Sequence, residues 1–313
     1  MIRIGDVARL PGTRIQNRCA VTSSGLEAVD QLMGGGLPIP SLLVVSESES
    51  RRFAPLFQKY FLAQGVVDKH ELSSPSCPPR RPRRRAAGEQ DAEVPDAEMR
   101  IAWRYKTMPA LNSALSAKDK TRFDLSKPME LPDGTIRTSS AASYSSLWSE
   151  LFALIKSEQF AAAESKTILR LLLADLGSPL FEDAAAFRPF LCQLRALVQT
   201  ANVCVMVSVD ESLLAADDRR LLVDLADAYF RLEIPDAESK KNMGLEERYD
   251  GRFHIVKLPL LNSIATNKPD CVDLVFEKHR RYVELRILHL PAVMGGAAEA
   301  AAKTPCQKIL DQF

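Results

Sequence analysis

Two apolar runs, at residues 167–174 and 203–209, constrain the fold of this chain more than any other feature. Each run is nearly continuous, whereas a strand with one face in water would alternate apolar and polar side chains. A continuous run is typical of a strand in a parallel sheet that helices cover on both sides. Segments with helical periodicity, at 147–160, 187–200 and 213–225, lie beside these runs. The sequence therefore predicts an α/β fold with a mainly parallel central sheet.

The two ends of the chain add different elements to this sheet. Toward the amino terminus, a short amphipathic helix ends at three glycines and is followed by a strand, a loop and a second helix. These elements occupy 25–33, 41–45 and 52–64. After a further strand at 228–234, three strands follow at short intervals, at 253–258, 272–276 and 282–288. We expect an antiparallel hairpin to close this edge of the sheet.

One large domain accounts for most of the chain. We predict an N-terminal segment at 1–20, a single domain at 21–291 and a flexible C-terminal tail at 292–313. Periodicity disappears at 66–99, where the composition is rich first in serine and proline, then in arginine, then in acidic residues. This segment is predicted to be a disordered insertion. A returning strand at 101–105 and a polar stretch at 106–143 that wraps the surface are expected after it.

The loop between the strand at 41–45 and the helix at 52–64 stands where a P-loop NTPase has GxxxxGK[ST]. In that motif the glycines let backbone N–H groups close around phosphate, and the lysine supplies positive charge. This loop has neither glycine nor lysine. It consists of Ser46, Glu47, Ser48, Glu49, Ser50, Arg51 and Arg52. Because two carboxylates would face a polyphosphate, the degenerate loop predicts no ordinary nucleotide binding.

A divergent NTPase with a non-standard phosphate site is the alternative. Arg51 and Arg52 would then clamp phosphate from the start of the helix, although arginine at a helix start is more often a solvated surface residue. Asp175 follows an apolar run, as the acid of a Walker B strand does, and would reach magnesium or its water. The same aspartate would equally well cap the turn ahead of Gly177.

The other side chains that could act in catalysis or metal binding form no recognisable site in the sequence. Six cysteines are scattered without a CxxC pair, and four histidines show no ligand spacing. Paired-carboxylate, Ser/His/Asp and Cys/His patterns are absent from the sequence in any spacing that one element would bring together. We therefore expect no catalytic residue, no metal and no cofactor. Cys204, inside the run 203–209, is predicted to be a core residue rather than a nucleophile.

Charge and hydropathy limit the partners of the chain. Lysine and arginine number 41 against 40 aspartates and glutamates, so whole-chain charge predicts no general affinity for nucleic acid. No apolar stretch approaches the roughly 20 residues that span a bilayer, so no membrane partner is expected. One local cluster is strongly basic and contains Arg80, Arg81, Arg83, Arg84 and Arg85. It would either contact RNA phosphates or form a solvated linker together with the acids of 89–98.

Six segments share their pattern with one protein family. They are RLPGTR at 9–14, SSGLEAVDQLMGGGLP at 23–38, KYFLAQG at 59–65, IAWRYK at 101–106, HIVKLP at 254–259 and DLVFEKHRRYVELRILHLP at 273–291. Together they resemble the Elongator complex protein four family. The glycine-rich segment is shared with many RecA-like and KaiC-like ATPases, whereas IAWRYK and the last segment point to this family. The resemblance implies a RecA-like P-loop NTPase fold in which the degenerate Walker A is a property of the family.

The resemblance also implies a function and a set of partners. Family members belong to a hetero-hexameric ring of three RecA-like subunits, each present twice, which docks on the catalytic core of Elongator. That core modifies wobble uridines of tRNA with 5-carboxymethyl-type groups, and the ring binds tRNA and hydrolyses ATP. This chain is therefore expected to be a non-catalytic structural subunit. Its expected partners are the two other ring subunits, the catalytic core and tRNA, in the cytoplasm and also in the nucleus.

The same resemblance suggests functions for three basic residues. In RecA-like rings the loop before the closing hairpin faces the central pore, which here is 262–271, so Lys268 is the predicted RNA contact. An exposed lysine without such a role is equally compatible with the sequence. Lys278 and Arg280 match the K-x-R pattern that KaiC-like rings present to a neighbour's nucleotide, with an ordinary surface turn as the alternative. A recombinase-like partner of DNA is a third functional class.

Overall fold

The computed structural model describes residues 10–48, 52–76, 114–116, 123–127, 129, 134–157, 160, 167–242 and 245–288. Two β-sheets organise them. The smaller sheet is antiparallel, with strand order β1-β2-β3. Its strands are β1 (Thr13–Gln16), β2 (Cys19–Thr22) and β3 (Leu37–Pro38). The hairpin of β1 and β2 crosses residue 20, where we predicted the end of a separate N-terminal segment.

The larger sheet has nine strands and forms the centre of the molecule. They are β4 (Ser41–Glu47), β5 (Glu71–Ser76), β6 (Ile136–Ser140), β7 (Leu169–Leu176), β8 (Val203–Asp210), β9 (Ala228–Glu233), β10 (Gly251–Lys257), β11 (Leu274–Lys278) and β12 (Val283–Ile287). Their spatial order is β12-β11-β10-β9-β4-β8-β7-β5-β6.

Strand direction divides this sheet into two parts. From β9 to β6 all neighbours pair in parallel, whereas β9 to β12 pair antiparallel in sequence order. The two apolar runs of the sequence are the neighbouring strands β7 and β8, and β11 and β12 form the hairpin at one edge. The predicted α/β fold, with a mainly parallel sheet and a closing antiparallel hairpin, is confirmed.

Helices cover both faces of the parallel part. They are α1 (Glu27–Leu32), α2 (Ala54–Val67), α3 (Tyr144–Ile155), α4 (Phe187–Val198), α5 (Ala216–Leu225) and α6 (Ala237–Asn242). Along β4, Leu43 and Val45 pack in the core with α1 and α2, while Leu42 and Val44 pack in the core with α3, α4 and α5. Burial on both faces explains why these strands are continuously apolar. Cys204 is fully buried in the first of these cores, as predicted, and burial raises the pKa of its thiol to about 11.

The predicted start of the disordered insertion is wrong. Val66 and Val67 complete α2, and Glu71–Ser76 forms the parallel strand β5 between β6 and β7. The sequence ELSSPS lacks the apolar alternation of a typical strand, and Leu72 is its one buried large apolar side chain. Backbone pairing with both neighbouring strands holds it in the sheet. The rest of the predicted insertion, residues 77–99, lies outside the described residues.

The polar stretch at 106–143 is not only a surface wrap. Ile136–Ser140 forms β6, an edge strand of the nine-stranded sheet, which its polar side chains did not indicate. Leu115 N donates to Leu285 O at 3.0 Å, and Leu125 N donates to Arg281 O at 2.7 Å, so two short pieces do lie along the closing hairpin. The predicted strand at 101–105 and tail at 292–313 lie outside the described residues.

Helix length bears on the membrane prediction. The longest helix among the described residues is α2, with 14 residues, and none of the helices there has the length and apolar character to cross a bilayer.

Candidate functional site

The crevice at the carboxyl ends of β4, β7 and β8 is the place where this architecture would hold a ligand. The chain leaves β4 into α2 on one face of the sheet, whereas α4 and α5 lie on the opposite face. In open α/β sheets, ligands bind outside the carboxyl ends of the strands where the chain changes face. The degenerate loop lies at this point, so its geometry decides whether the crevice can accept phosphate.

Glu47, the last residue of β4, has its side chain at the start of α2. The residue is 1% exposed. Its Oε1 accepts a hydrogen bond from the Arg52 backbone N–H at 2.9 Å, and its Oε2 accepts from Phe53 N–H at 3.1 Å and Ala54 N–H at 2.7 Å. The first N–H groups of a helix have no partner inside the helix and carry partial positive charge. The Glu47 carboxylate is therefore the anion bound at the N-terminus of α2.

This arrangement gives a physical reason for the predicted lack of phosphate binding. In a P-loop the backbone N–H groups before and at the helix start bind the phosphates. Here three of those groups are already bonded to a buried carboxylate, and a phosphate placed there would meet a negative charge within contact distance. The residues between, 49–51, lie outside the described residues, so nothing is assigned to Glu49, Ser50 or Arg51.

The other described loop residues have structural contacts of their own. The Ser46 hydroxyl donates to Glu211 Oε1 at 2.6 Å, which ties the end of β4 to the residue that follows β8. Ser48 is half-buried at the end of the strand. Arg52 donates its backbone N–H to Glu47, while its side chain is exposed, as the surface alternative for this arginine expects.

A small cavity of about 80 Å³ remains in the crevice. It is lined by Glu47, Ala54, Pro55, Gln58, Ala174, Asp175, Ser208 and Val209. Pockets that bind nucleotide-sized ligands usually have volumes of roughly 300–1,000 Å³. The cavity is thus several times too small for a nucleoside triphosphate.

Ser208 and Gln58 close the centre of this crevice, and neither was predicted from the sequence. The Ser208 hydroxyl accepts from Gln58 Nε2 at 2.8 Å and from the Asp175 backbone N–H at 3.0 Å. These bonds connect β8, α2 and the end of β7. Ser208 is the one hydroxyl residue in the apolar run 203–209, and this exception was a signal that the sequence offered.

Asp175 lies in the crevice at the end of β7. Its backbone is left-handed, with φ at 54°, and the pairing register of β7 with β8 shifts between Leu173 and Leu176. The Asp175 carbonyl accepts from Ser178 N–H at 3.2 Å, so the residue starts the predicted turn. Asp175 and Glu47 thus both line the small cavity.

The predicted RNA contact Lys268 lies in the exposed loop between β10 and β11. Its neighbour Asn267 donates from Nδ2 to Leu32 O at 2.9 Å and Gln31 O at 3.3 Å, at the end of α1. Asn262, at the other end of the loop, donates to Arg18 O at 3.1 Å. The loop is thus held against the N-terminal part of the chain, and Lys268 is exposed on it.

The two predicted trans-acting cations lie elsewhere. Lys278 ends β11 and Arg280 follows in the turn to β12, and both are exposed. In the sheet, β11 is three strands away from β4, so the turn is roughly 14 Å from the crevice across the strands. The structure does not bring these cations together with Glu47. The basic cluster at 80–85 lies outside the described residues.

Comparisons with known proteins agree on one family. A family model described as PAXNEB protein matches residues 6–309. Elongator complex protein 4 of Danio rerio is 28% identical, over 94% of this chain and 88% of that protein. The Homo sapiens protein of the same name is 26% identical, over 94% of this chain and 82% of its own length. Among solved structures, the KaiC-like protein PH0186 from Pyrococcus horikoshii OT3 is similar with a TM-score of 0.48 and 15% identity, covering 85% of this chain and 99% of that one.

Proposed function

The chain belongs to the PAXNEB family, and from this membership we propose that it is a non-catalytic, RecA-like subunit of the Elongator complex. The relatives that cover nearly its whole length carry the name Elongator complex protein 4, which supports membership of that complex. Within it, the subunit supports tRNA binding and the modification of wobble uridines by the assembly.

The Glu47 carboxylate carries the non-catalytic part of this proposal. It is buried and accepts three backbone hydrogen bonds at the start of α2, where an ATPase would bind phosphate. The adjoining cavity is also too small for a nucleotide. Both observations weigh against the alternative of a divergent NTPase that uses Arg51, Arg52 and Asp175.

The proposed partners are the two other RecA-like ring subunits in a hetero-hexamer, the catalytic core of Elongator, and tRNA. Their location is the cytoplasm, with the nucleus as a second compartment. Lys268 is proposed as an RNA contact, because it is exposed on a loop that two asparagine side chains hold in place. Lys278 and Arg280 are proposed to reach a neighbouring subunit's nucleotide, because both are exposed at the edge of the sheet.

Co-purification tests the membership. A tagged chain expressed in its own cells should recover the other ring subunits and the catalytic core, and deletion of its gene should abolish 5-carboxymethyl-type modification of wobble uridine, measured by mass spectrometry of tRNA nucleosides. Recovery of neither partner, together with unchanged modification, would contradict the proposal. Equilibrium binding of labelled ATP to the isolated chain tests the alternative, since micromolar affinity that is lost in Arg51→Ala and Arg52→Ala would identify a divergent NTPase.

The assembled ring tests the two cations. Replacement of Lys278 and Arg280 by alanine should lower the ATPase rate of the ring by roughly tenfold or more, because a cation supplied from a neighbour stabilises the transferring phosphate. Lys156→Ala with Arg137→Ala is a matched control, since both residues are exposed cations outside the β11–β12 turn: Arg137 lies on the opposite edge strand β6, and Lys156 follows α3. An equal rate in the ring with Lys278→Ala and Arg280→Ala would exclude the trans-acting role.

A further inference from the structure

Two glutamates face each other across the closing hairpin. Glu277 on β11 is the direct pairing partner of Glu284 on β12. Like charges at directly opposite positions destabilise a strand pair unless a cation or a proton compensates them. Glu284 is 1% exposed and Glu277 is half-buried, so water compensates this pair poorly. The hairpin therefore needs positive charge at this position.

His279, the first residue after β11, lies between the two carboxylates. Its Nε2 is 3.5 Å from Glu277 Oε1 and 3.3 Å from Glu284 Oε2. One ligand atom from each of the three residues lies within 4.8 Å of the others, and they are the only such group of three in the part of the chain that the structure describes. Two ligands at about 2.1 Å from a tetrahedral metal ion are about 3.4 Å apart. The two histidine–carboxylate distances thus match the edge of a metal coordination shell.

Arg286 provides part of the compensating charge. Its Nη2 is 2.9 Å from Glu284 Oε2, and its Nε is 3.7 Å from Glu277 Oε2. The second distance is too long for a hydrogen bond. Glu277 Oε2 is buried and accepts no hydrogen bond from any described residue. Arg286 thus contacts Glu284 directly and reaches Glu277 only at longer range.

The cluster is also held in position before any ligand arrives. The His279 backbone N–H donates to Tyr282 O at 2.8 Å, and the two rings pack with centroids 4.4 Å apart at an interplanar angle of 31°. The Val283 N–H donates to the Tyr60 hydroxyl of α2 at 3.0 Å, which ties the start of β12 to the core. Because ordered ligands lose little entropy on binding, such a site can bind a metal ion without rearrangement of the hairpin.

We propose that Glu277, His279 and Glu284 bind a divalent transition-metal ion of the zinc class. An imidazole with two carboxylates suits zinc, cobalt or manganese, whereas magnesium prefers an all-oxygen shell. Water would complete the coordination, and Arg286 would orient Glu284 from outside it. The ion would fix the turn that carries Lys278 and Arg280. This inference rests on the hairpin alone and does not depend on the proposed function.

Calorimetric titration of the full chain with zinc and with magnesium tests the site. The expected result is one equivalent of zinc bound and no detectable magnesium binding. His279→Ala should weaken zinc binding at least about tenfold, because it removes the one nitrogen ligand. His254→Ala is the matched control: His254 pairs with the single carboxylate of Glu233 in the neighbouring strands and should leave the affinity unchanged.

Two further measurements exclude an adventitious site. The absorption spectrum of the cobalt-loaded chain should be that of nitrogen and oxygen ligands and should disappear in Glu277→Gln, a change at a half-buried residue that keeps the side-chain shape. Circular dichroism should show both variants folded. Wild-type zinc affinity in His279→Ala, loss of affinity in His254→Ala, or a thiolate spectrum from the free cysteines would each overturn the proposal.

Discussion

Arg170, on β7, is a charged side chain with no solvent exposure. Its Nε donates to His70 Nδ1 at 2.9 Å, and its Nη2 donates to Thr22 Oγ1 at 2.9 Å and approaches Asp68 Oδ2 at 3.3 Å. One guanidinium thus joins the nine-stranded sheet, the end of α2 and the small N-terminal sheet. Its planar set of five donors is what makes this possible, since an ammonium group cannot reach the same partners.

Arg170→Met should lower the free energy of unfolding by about 3–5 kcal/mol, because it leaves buried acceptors and Asp68 without their cation. Urea unfolding followed by circular dichroism measures this change. Arg137→Met is the control: Arg137 pairs with Glu71 at 3.4 Å with both side chains about half exposed, and its loss should cost less than about 1 kcal/mol. Equal costs for the two variants would contradict the structural role of Arg170.

His70 makes the stability of the same network depend on pH. Burial, and next the nearby Arg170 charge, lower the pKa of His70 to about 4. The unfolded chain, with a histidine pKa near 6.5, therefore binds more protons than the folded chain between pH 6.5 and 4. As the pH is lowered from 6.5 to 4, the free energy of unfolding should fall by up to roughly 3 kcal/mol. Above pH 6.5 it should change little. In His70→Gln the slope of stability against pH over this window should be shallower, and an identical slope would contradict the assignment.

At the scale of single elements, α2 depends on the anion at its start. Glu47→Gln keeps an acceptor but removes the charge, so it should lower the free energy of unfolding by about 1–2 kcal/mol. Glu71→Gln, at an exposed strand residue, is the control and should change it by less than about 0.5 kcal/mol. Urea unfolding measures both. ATP binding should stay absent in Glu47→Gln, because the loop still lacks glycine and lysine.

Prediction from the sequence succeeded or failed element by element. Strands β7 and β8 were predictable because burial on both faces requires the continuous apolar runs around Leu172 and Val205. Strands β5 and β6 were not, because backbone pairing at the sheet edge holds serine-rich segments with few apolar side chains. The charge of Glu47 was readable in the loop, but its three backbone partners depend on how β4 meets α2. The group of Glu277, His279 and Glu284 needed the hairpin register, which the sequence spacing did not give.

At the scale of the whole molecule, the first and last parts of the chain are fastened together. Asn267 of the β10–β11 loop donates to carbonyls at the end of α1, beside the glycine turn that follows it. An added Cβ at Gly34 would lie 2.9 Å from the Asn267 Cβ, so the absence of a side chain there allows the loop to approach.

Asn267→Ala should detach the β10–β11 loop from the end of α1 without unfolding the molecule. We expect a loss of about 1 kcal/mol in the free energy of unfolding, since two backbone carbonyls lose a donor. Thermolysin should cut before Ile264, an exposed residue of the same loop, several times faster than in the wild-type chain, because the loop opens locally. Ser263→Ala, a neighbouring exposed change in the same loop, is the control and should leave the cleavage rate as it was. Unchanged cleavage in Asn267→Ala would show that the loop is held by other contacts.

The carboxylate of Glu47 has one more consequence, which concerns competition. It is tethered only five residues before the first amide that it binds, so a free anion competes with a group whose effective concentration is at least on the order of millimolar. Free phosphate and nucleotide must also enter against its charge. We therefore expect the start of α2 to keep the same conformation whether cellular ATP is abundant or scarce. If the chain is part of the proposed ring, the start of α2 would keep one conformation whatever nucleotide a neighbouring subunit binds.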